Sequence, residues 1–370
     1  GESWEHLGLD DSWHIGEIVV HPVNPDIVIV CVLGHFWSKN ENRGIYRTSD
    51  GGETWDHVLY LDEKTGANDV VFSPSNPDVV YASTWENNPG VMGENSAIFR
   101  SIDGGITWKR THQGLPSGPM VGRIGLAVSY SNPDKAYALI DNRGLSPSSE
   151  VYKTENGGLL WERTHKDDLD IFSVIGWYFT DIYVSPENDN EIFGLGVRMG
   201  HSSDGGKTFS LVGGSVSHIT PSAAQGMHLD HCELWIHPEN PDHLALANDG
   251  GLYISYDKGK SWMHYNNIPT GEFYDITVDT QDPYLIYGGV QDDATVFGPS
   301  TEWNPSFPDP WKYLWIDAWN GGDGCVSQVD PEDPDIVYFS SQNGAVRRWD
   351  RTRDSSISIR PKLQEGSKDT

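Results

Sequence analysis

Carboxylates recur at one register of this chain. Counted eight residues back from the centre of a repeated Asn-Pro-Asp turn, the positions are Glu17, Asp69, Gly125, Asp181, Glu233, Asp275 and Val326. Five of the seven are acids, and the residues one and three further on are apolar, as in Ile18 and Val20, Val70 and Phe72, or Ile182 and Val184. That pattern predicts an acid opening each of several equivalent strands, at one height around a central channel. The plainer expectation is structural, each acid bonding the backbone or a polar group of its neighbour. Acids brought together can also hold a hard cation such as calcium, or shift one another's proton affinity until one is an acid and another a base. The last is what glycoside hydrolysis needs, two carboxyl groups about 5 to 9.5 Å apart across the scissile bond. Asp69, Asp181, Asp275, Glu17 and Glu233 are therefore the candidate catalytic residues.

Other polar and aromatic residues fall near the same height. His14, Arg123, Tyr178, Tyr274 and Asp323 are candidate ligand-binding residues. His228-Leu229-Asp230-His231 is the densest cluster of ionisable groups. Imidazole and carboxylate suit a transition metal, but alternate side chains of a strand face opposite sides, so a hydrogen-bonded structural role is the stronger expectation for His228, Asp230 and His231. A long insertion, residues 297–320, carries Trp303, Trp311, Trp315 and Trp319. Its rings either stack on sugars or fold inward. No cofactor is expected, a structural cation aside.

The elements that must position these residues are repeats. The turn stands at Asn24-Pro25-Asp26, Asn76-Pro77-Asp78, Asn132-Pro133-Asp134, Asn188-Asp189-Asn190, Asn240-Pro241-Asp242, Asp282-Pro283-Tyr284 and Asp333-Pro334-Asp335. Its spacing is 42 to 56 residues, a period that marks a repeat architecture. A second motif runs Thr48-Ser49-Asp50-Gly51-Gly52-Glu53-Thr54-Trp55, and returns around Asp103 and Trp108, Asp204 and Phe209, and Asp257 and Trp262. A degenerate copy from Thr154 to Trp161 has Asn156 in place of the acid. The Asp accepts hydrogen bonds from its own turn, Gly supplies positive φ, and the aromatic packs beneath. Val, Ile, Tyr and Trp fill the strands between turns, and helical periodicity is nearly absent. Four short strands per unit read as a propeller blade.

The second motif is the Asp-box, and through it the chain resembles the bacterial neuraminidase-type repeat proteins over nearly its whole length. That group includes sialidases, two-propeller xyloglucanases and the luminal domains of sortilin-type receptors, and the resemblance is closest to sortilin-like secreted bacterial repeat proteins. It implies an all-β fold: a β-propeller, expected here as seven four-stranded blades near 10–60, 66–113, 120–165, 177–213, 227–265, 271–300 and 321–350. The last unit shows no Asp-box and no fourth strand, so residues 1–8 are expected to close the ring, and 351–370 to be a polar tail toward a further domain. The resemblance further implies a secreted recognition or scaffold module, binding a peptide, protein or glycan on the face of the long loops 34–43, 85–97, 141–149, 166–177, 213–227 and 297–320. The alternative is a glycoside hydrolase with a carboxylate pair at the channel mouth, as xyloglucanase-like relatives use Asp pairs. Sialidase activity is disfavoured by the missing Arg-Ile-Pro signature.

Composition narrows the partners. A formal net charge of −29 argues against nucleic acid and anionic membrane, both of which need a basic patch. No run of about 18 apolar residues exists to span a membrane. The opening Gly1-Glu2-Ser3-Trp4 reads as the end of an Asp-box whose first half lies upstream, so a signal peptide is not expected in this stretch, and the expected location is extracellular or periplasmic. Cys31, Cys232 and Cys325 are odd in number and lack metal-ligand spacing, and are expected as buried free thiols.

Overall fold

A computed structural model of the chain describes residues 2–88, 90–212, 227–265, 268, 270–301, 311–314 and 322–361. It is all-β: seven antiparallel sheets of four strands, each built from consecutive strands. The fold class is the expected one, the sheets having the build of β-propeller blades. The first blade contains β1 (His14–Val20), β2 (Val28–Gly34), β3 (Gly44–Thr48) and β4 (Asp56–Leu59), and the second β5 (Thr65–Ser73), β6 (Asn76–Glu86), β7 (Ala97–Ser101) and β8 (Lys109–Thr111). The third contains β9 (Val121–Val128), β10 (Ala136–Asn142), β11 (Ser149–Thr154) and β12 (Glu162–Arg163), and the fourth β13 (Asp181–Val184), β14 (Ile192–Leu195), β15 (Met199–Ser202) and β16 (Ser210–Val212). The fifth contains β17 (His231–Ile236), β18 (Leu244–Asn248), β19 (Gly251–Ser255) and β20 (Met263–Tyr265), and the sixth β21 (Phe273–Val278), β22 (Leu285–Val290), β23 (Thr295–Pro299) and β24 (Lys312–Leu314). The seventh contains β25 (Ser327–Val329), β26 (Ile336–Ser341), β27 (Ala345–Asp350) and β28 (Ser355–Ser358). One compact unit carries the first five blades and a second carries the sixth and seventh.

Among the described residues, apolar cores fill four of the seams between successive blades. Ile29, Cys31 and Ile45 of the first blade pack with Val70, Phe72 and Val80 of the second. Tyr81 and Ile98 pack with Ile124, Leu126 and Ala138 of the third, and Tyr137 and Leu139 with Ile182 and Ile192 of the fourth. In the second unit Tyr287, Phe297 and Leu314 meet Val337, Phe339 and Trp349. The Asn-Pro-Asp turns are also inter-blade stitches, because Tyr81 Oη donates to Pro133 O (3.3 Å) and Tyr137 Oη to Asp189 O (2.7 Å).

The repeated Asp turns have the geometry their residues predict. Asp50 Oδ1 accepts from Thr54 N (3.0 Å) and Thr48 Oγ1 (2.7 Å), and Oδ2 from Thr54 Oγ1 (2.6 Å). Asp103, Asp204 and Asp257 repeat the set, and Asn156 keeps its Oδ1 half, accepting from Thr154 Oγ1 and Leu160 N. These donors hold Asp50, Asp103 and Asp204 at a pKa of about 2. The carboxylates are thus spent on their own turns. Each turn docks on the Asn-Pro-Asp turn of its blade, as in Gly51 N to Asp26 O (3.0 Å) and Gly104 N to Asp78 O (2.9 Å).

The seventh blade departs from expectation. Its fourth strand is β28, not residues 1–8, and residues 2–7 carry no strand. The chain returns because Asp350 forms the missing turn, accepting from Thr352 Oγ1 (2.7 Å) and Arg353 N (3.1 Å). Arg351 stands where the first four turns have Gly and the fifth has Lys258, its N–H donating to Asp335 O (2.9 Å) while its guanidinium pairs with the Asp335 carboxylate. Residues 351–358 therefore complete a blade rather than start a tail. The sixth blade likewise runs past residue 300 to β24. Only Cys31 is a buried thiol, Cys325 being half-buried and Cys232 exposed.

Candidate functional site

The strand-opening acids share a local device. In β1 the register slips between Ile15 and Glu17, in β5 between Ala67 and Asp69, in β17 between His231 and Glu233, and in β21 between Phe273 and Asp275. One extra residue (Gly16, Asn68, Cys232 or Tyr274) bulges out immediately before the acid each time. A bulge bends its strand and re-aims the next side chain, so the acid's direction is set by backbone rather than by strand alternation alone. Asp181 opens β13 without a bulge. The third blade has no acid, and none would fit: a Cβ on Gly125 would lie 2.2 Å from the Thr180 carbonyl oxygen.

Within the first unit, Glu17, Asp69, Asp181 and Glu233 form one electrostatic cluster. Burial raises the pKa of Asp69 to about 8, helped by the charges of Asp181 and Glu17 and opposed by a hydrogen bond from Leu126 N to Oδ2 (2.7 Å). Burial likewise raises Asp181, opposed chiefly by Arg123, whose guanidinium lies 4.0 Å away. Glu17 is raised by burial and by Glu233 and Asp181. Glu233 is raised by burial and by Asp181, against a hydrogen bond from Tyr183 Oη (2.9 Å). Neighbouring donors therefore satisfy part of the cluster, while burial raises the proton affinity of all four acids. Arg123 also donates to the Tyr178 carbonyl, which anchors the cation where it faces Asp181. The cluster thus brings together Asp69, its pKa raised to about 8, and Asp181, whose rise Arg123 opposes.

The remaining expected residues have other surroundings. Asp275, Tyr274 and Asp323 belong to the second unit, where Asp323 Oδ1 accepts from Asp292 N (3.0 Å) and burial raises its pKa. His14 Nδ1 sits 2.9 Å from Gly34 O, with its ring against Phe36. Tyr178 reaches the cluster through its carbonyl, its exposed ring lying against Trp177 and Phe179. His228 and His231 are buried, and His231 Nδ1 faces Asn248 Nδ2 (3.4 Å), which also donates to His228 O (3.1 Å). Burial, with His228 adding to it, lowers His231 to about 4. Trp311 lies over Gly298, where a Cβ would meet its ring at 2.5 Å. Trp303, Trp315 and Trp319 lie outside the described residues.

An aromatic group on the first blade was not singled out by the sequence. Trp13 and Trp37, both exposed, flank His35 and Phe36, and Phe36 packs on the fully buried Trp85. The signal lay in the sequence as His35-Phe36-Trp37 on a long loop, but exposure is a tertiary property and could not be read there.

No protein-family model matches the chain. It is similar to a xyloglucanase from a Paenibacillus species, 25% identical over 377 residues that cover 95% of this chain and 28% of that protein. A probable oligoxyloglucan-reducing end-specific xyloglucanase from Neosartorya fischeri is 24% identical over 355 residues, 91% of this chain and 38% of that protein. The chain thus spans about a third of the length of these relatives. Among solved structures, a GH74 enzyme from Niastella koreensis aligns with 93% of this chain and 55% of that one at 15% identity and a TM-score of 0.42. YCF48 from Cyanidioschyzon merolae aligns over 93% and 98% at 14% identity, also at 0.42. Among the described residues, no helix is long and apolar enough to cross a membrane.

Proposed function

We propose that the chain is part of a polysaccharide-acting glycoside hydrolase of xyloglucanase type, with the acid cluster of the first unit as its chemical centre. The observation that carries this is the pairing of Asp69, whose pKa is pushed to about 8, with Asp181 beside Arg123. Asp69 is protonated at neutral pH. With Leu126 N–H bonded to Oδ2, Oδ1 is the oxygen that delivers the proton to a glycosidic oxygen in this scheme. Asp181, which Arg123 favours as the anion, is the second carboxylate, acting on water or on the sugar carbon. Glu17 and Glu233 raise the proton affinity of their neighbours and are positioning residues in this scheme. Similarity to xyloglucanases supports the polysaccharide substrate and shifts the balance from a recognition module toward an enzyme. The sortilin-like recognition reading rests on motif resemblance alone. A polymeric substrate of this kind does not cross membranes, which supports a location outside the cytoplasm.

The test is release of reducing ends from xyloglucan, mixed-linkage β-glucan and hydroxyethylcellulose. Asp69→Asn and Asp181→Asn are each expected to lower kcat about 10²–10⁴-fold, the range of general acid–base contributions. Wild-type turnover that survives both substitutions would place the chemistry elsewhere, and an inert wild-type chain on all three polymers would end the hydrolase reading.

A further inference from the structure

Two tryptophans stand almost bare on the first blade, Trp37 at 93% and Trp13 at 66% exposure. Large apolar rings left in water are informative when they sit together, and these are held in place. Arg43, fully buried, donates to Leu33 O (2.6 Å) and Ser38 O (3.1 Å) and also to His35 O and the Asn87 side chain. One guanidinium thereby pins the β2–β3 loop at three carbonyls. Phe36 braces Trp37 from behind at 5.8 Å, itself seated on buried Trp85 at 5.8 Å. Asp11 ties the second ring to the same loop, its carboxylate accepting from Trp13 Nε1 (3.0 Å) and Asn42 Nδ2 (3.0 Å) and lying 3.0 Å from His35 Nε2. Those partners, His35 foremost, hold the Asp11 carboxyl below its usual range, so it serves as a fixed anion and not as a proton donor. Two rings, one on this braced loop and one tied to it through Asp11, are preorganised for a flat ligand, since little ordering is left to do on binding.

We propose that Trp13 and Trp37 form a stacking platform for the pyranose rings of a neutral polysaccharide, a binding site made of residues other than the acid cluster. A sugar ring has an apolar C–H face that suits an indole and a hydroxyl rim that suits the Ser38 and Asn42 side chains beside it. The choice of a glycan as occupant rests on the polysaccharide reading above. The platform's role is to hold polymer, so it acts on binding and on long substrates, not on the chemical step.

Affinity electrophoresis in gels containing xyloglucan, mixed-linkage β-glucan or hydroxyethylcellulose tests this directly. Wild-type protein is expected to be retarded by at least one polymer, with Trp13→Ala and Trp37→Ala each weakening it tenfold or more. Trp37→Tyr should restore part of the retardation, and Trp4→Ala, which removes an equally exposed ring outside this group, should leave it unchanged. The variants should melt with wild type, because the removed rings are on the surface. Retardation unaltered in both alanine variants would overturn the platform, as would a wild type that no polymer retards. Turnover is measured separately: a chain that hydrolyses without being retarded loses only the platform, and one that is retarded without hydrolysing loses only the acid-cluster mechanism.

Discussion

Asp69 and Arg123 show how single side chains set the chemistry of this fold. Asp69 follows the bulged Asn68, whose own amide donates to Ile124 O (3.2 Å), so the bulge is tied to the next blade. Its half-buried side chain brings the carboxyl near Asp181 and Glu17, and three acids in one place cannot all ionise without compensation. Arg123 supplies the positive charge beside Asp181. Replacing it in Arg123→Met should therefore cost about 3 kcal/mol at pH 8, the scale for stripping a buried charge of its partner. At pH 5 the loss should shrink, because Asp181 and Glu17 can take up protons. Urea unfolding at the two pH values measures the difference. Equal losses at both would assign Arg123 to packing and to its bond with the Tyr178 carbonyl. The acids themselves were legible from sequence, since the Asn-Pro-Asp turn fixes the register from which they are counted. The bulges were not. Gly16, Asn68, Cys232 and Tyr274 share no residue type, and a one-residue slip is a backbone event with no side-chain signature.

At the scale of elements, the blades differ in how firmly each Asp turn is stapled. The aromatics of the better-conforming turns, Trp55, Trp108, Phe209 and Trp262, are only half-buried, whereas Trp161 of the degenerate copy is 1% exposed. Trp161 Nε1 donates to Thr111 Oγ1 of the preceding blade (3.2 Å) and its ring meets Tyr81 edge-on at 6.4 Å. Trp55 instead donates to Leu7 O (2.7 Å) near the start of the chain. Trp161→Ala should thus cost about 3–5 kcal/mol and Trp55→Ala roughly half that, as read by chemical denaturation. Equal costs would mean that burial does not rank the staples. Gly125→Ala tests a second seam. Its methyl would press on the Thr180 backbone, which cannot swing aside, so about 1–3 kcal/mol is expected from overpacking. A neutral outcome would show that β9 and β13 can part. The strands of the first five blades were readable because apolar residues alternate between turn signals. β28 was not, since Ser355-Ser356-Ile357-Ser358 has one apolar residue and its turn carries Arg351 where the motif has Gly.

For the whole molecule, opposed sets of titrating groups shape stability against pH. Asp50, Asp103, Asp204 and Asp257 are held below their ordinary range by their turns. Their contribution is present above about pH 4 and is lost as pH falls toward 2, because the unfolded chain then binds more protons. His57, His165 and His231 are lowered by burial, so stability also declines as pH drops from their ordinary value toward about 4 for His231. The acid cluster works in the opposite sense. Glu17, Asp69, Asp181 and Glu233 are raised, so their contribution is complete at low pH and is lost as pH rises, for Asp69 up to about 8. Between roughly pH 4.5 and 6.5 the histidines and the cluster offset each other. Above that window the histidines no longer offset the cluster and Asp69 titrates on up to about 8, against a chain of formal charge −29 whose self-repulsion acts in the same direction. The melting temperature should therefore form a plateau near pH 4.5–6.5, falling on both sides. Asp69→Asn should flatten the alkaline side, gaining about 3 kcal/mol over wild type at pH 8, given about 1.4 kcal/mol per tenfold in proton affinity and a discount for partial exposure. At pH 4 the two proteins should melt together, because Asp69 is protonated in wild type and the amide is nearly its isostere. Melting curves from pH 2 to 9 decide it: an alkaline limb unchanged in Asp69→Asn would show that Asp69 is ionised at neutral pH, and with it the proton donor assigned to hydrolysis would be lost.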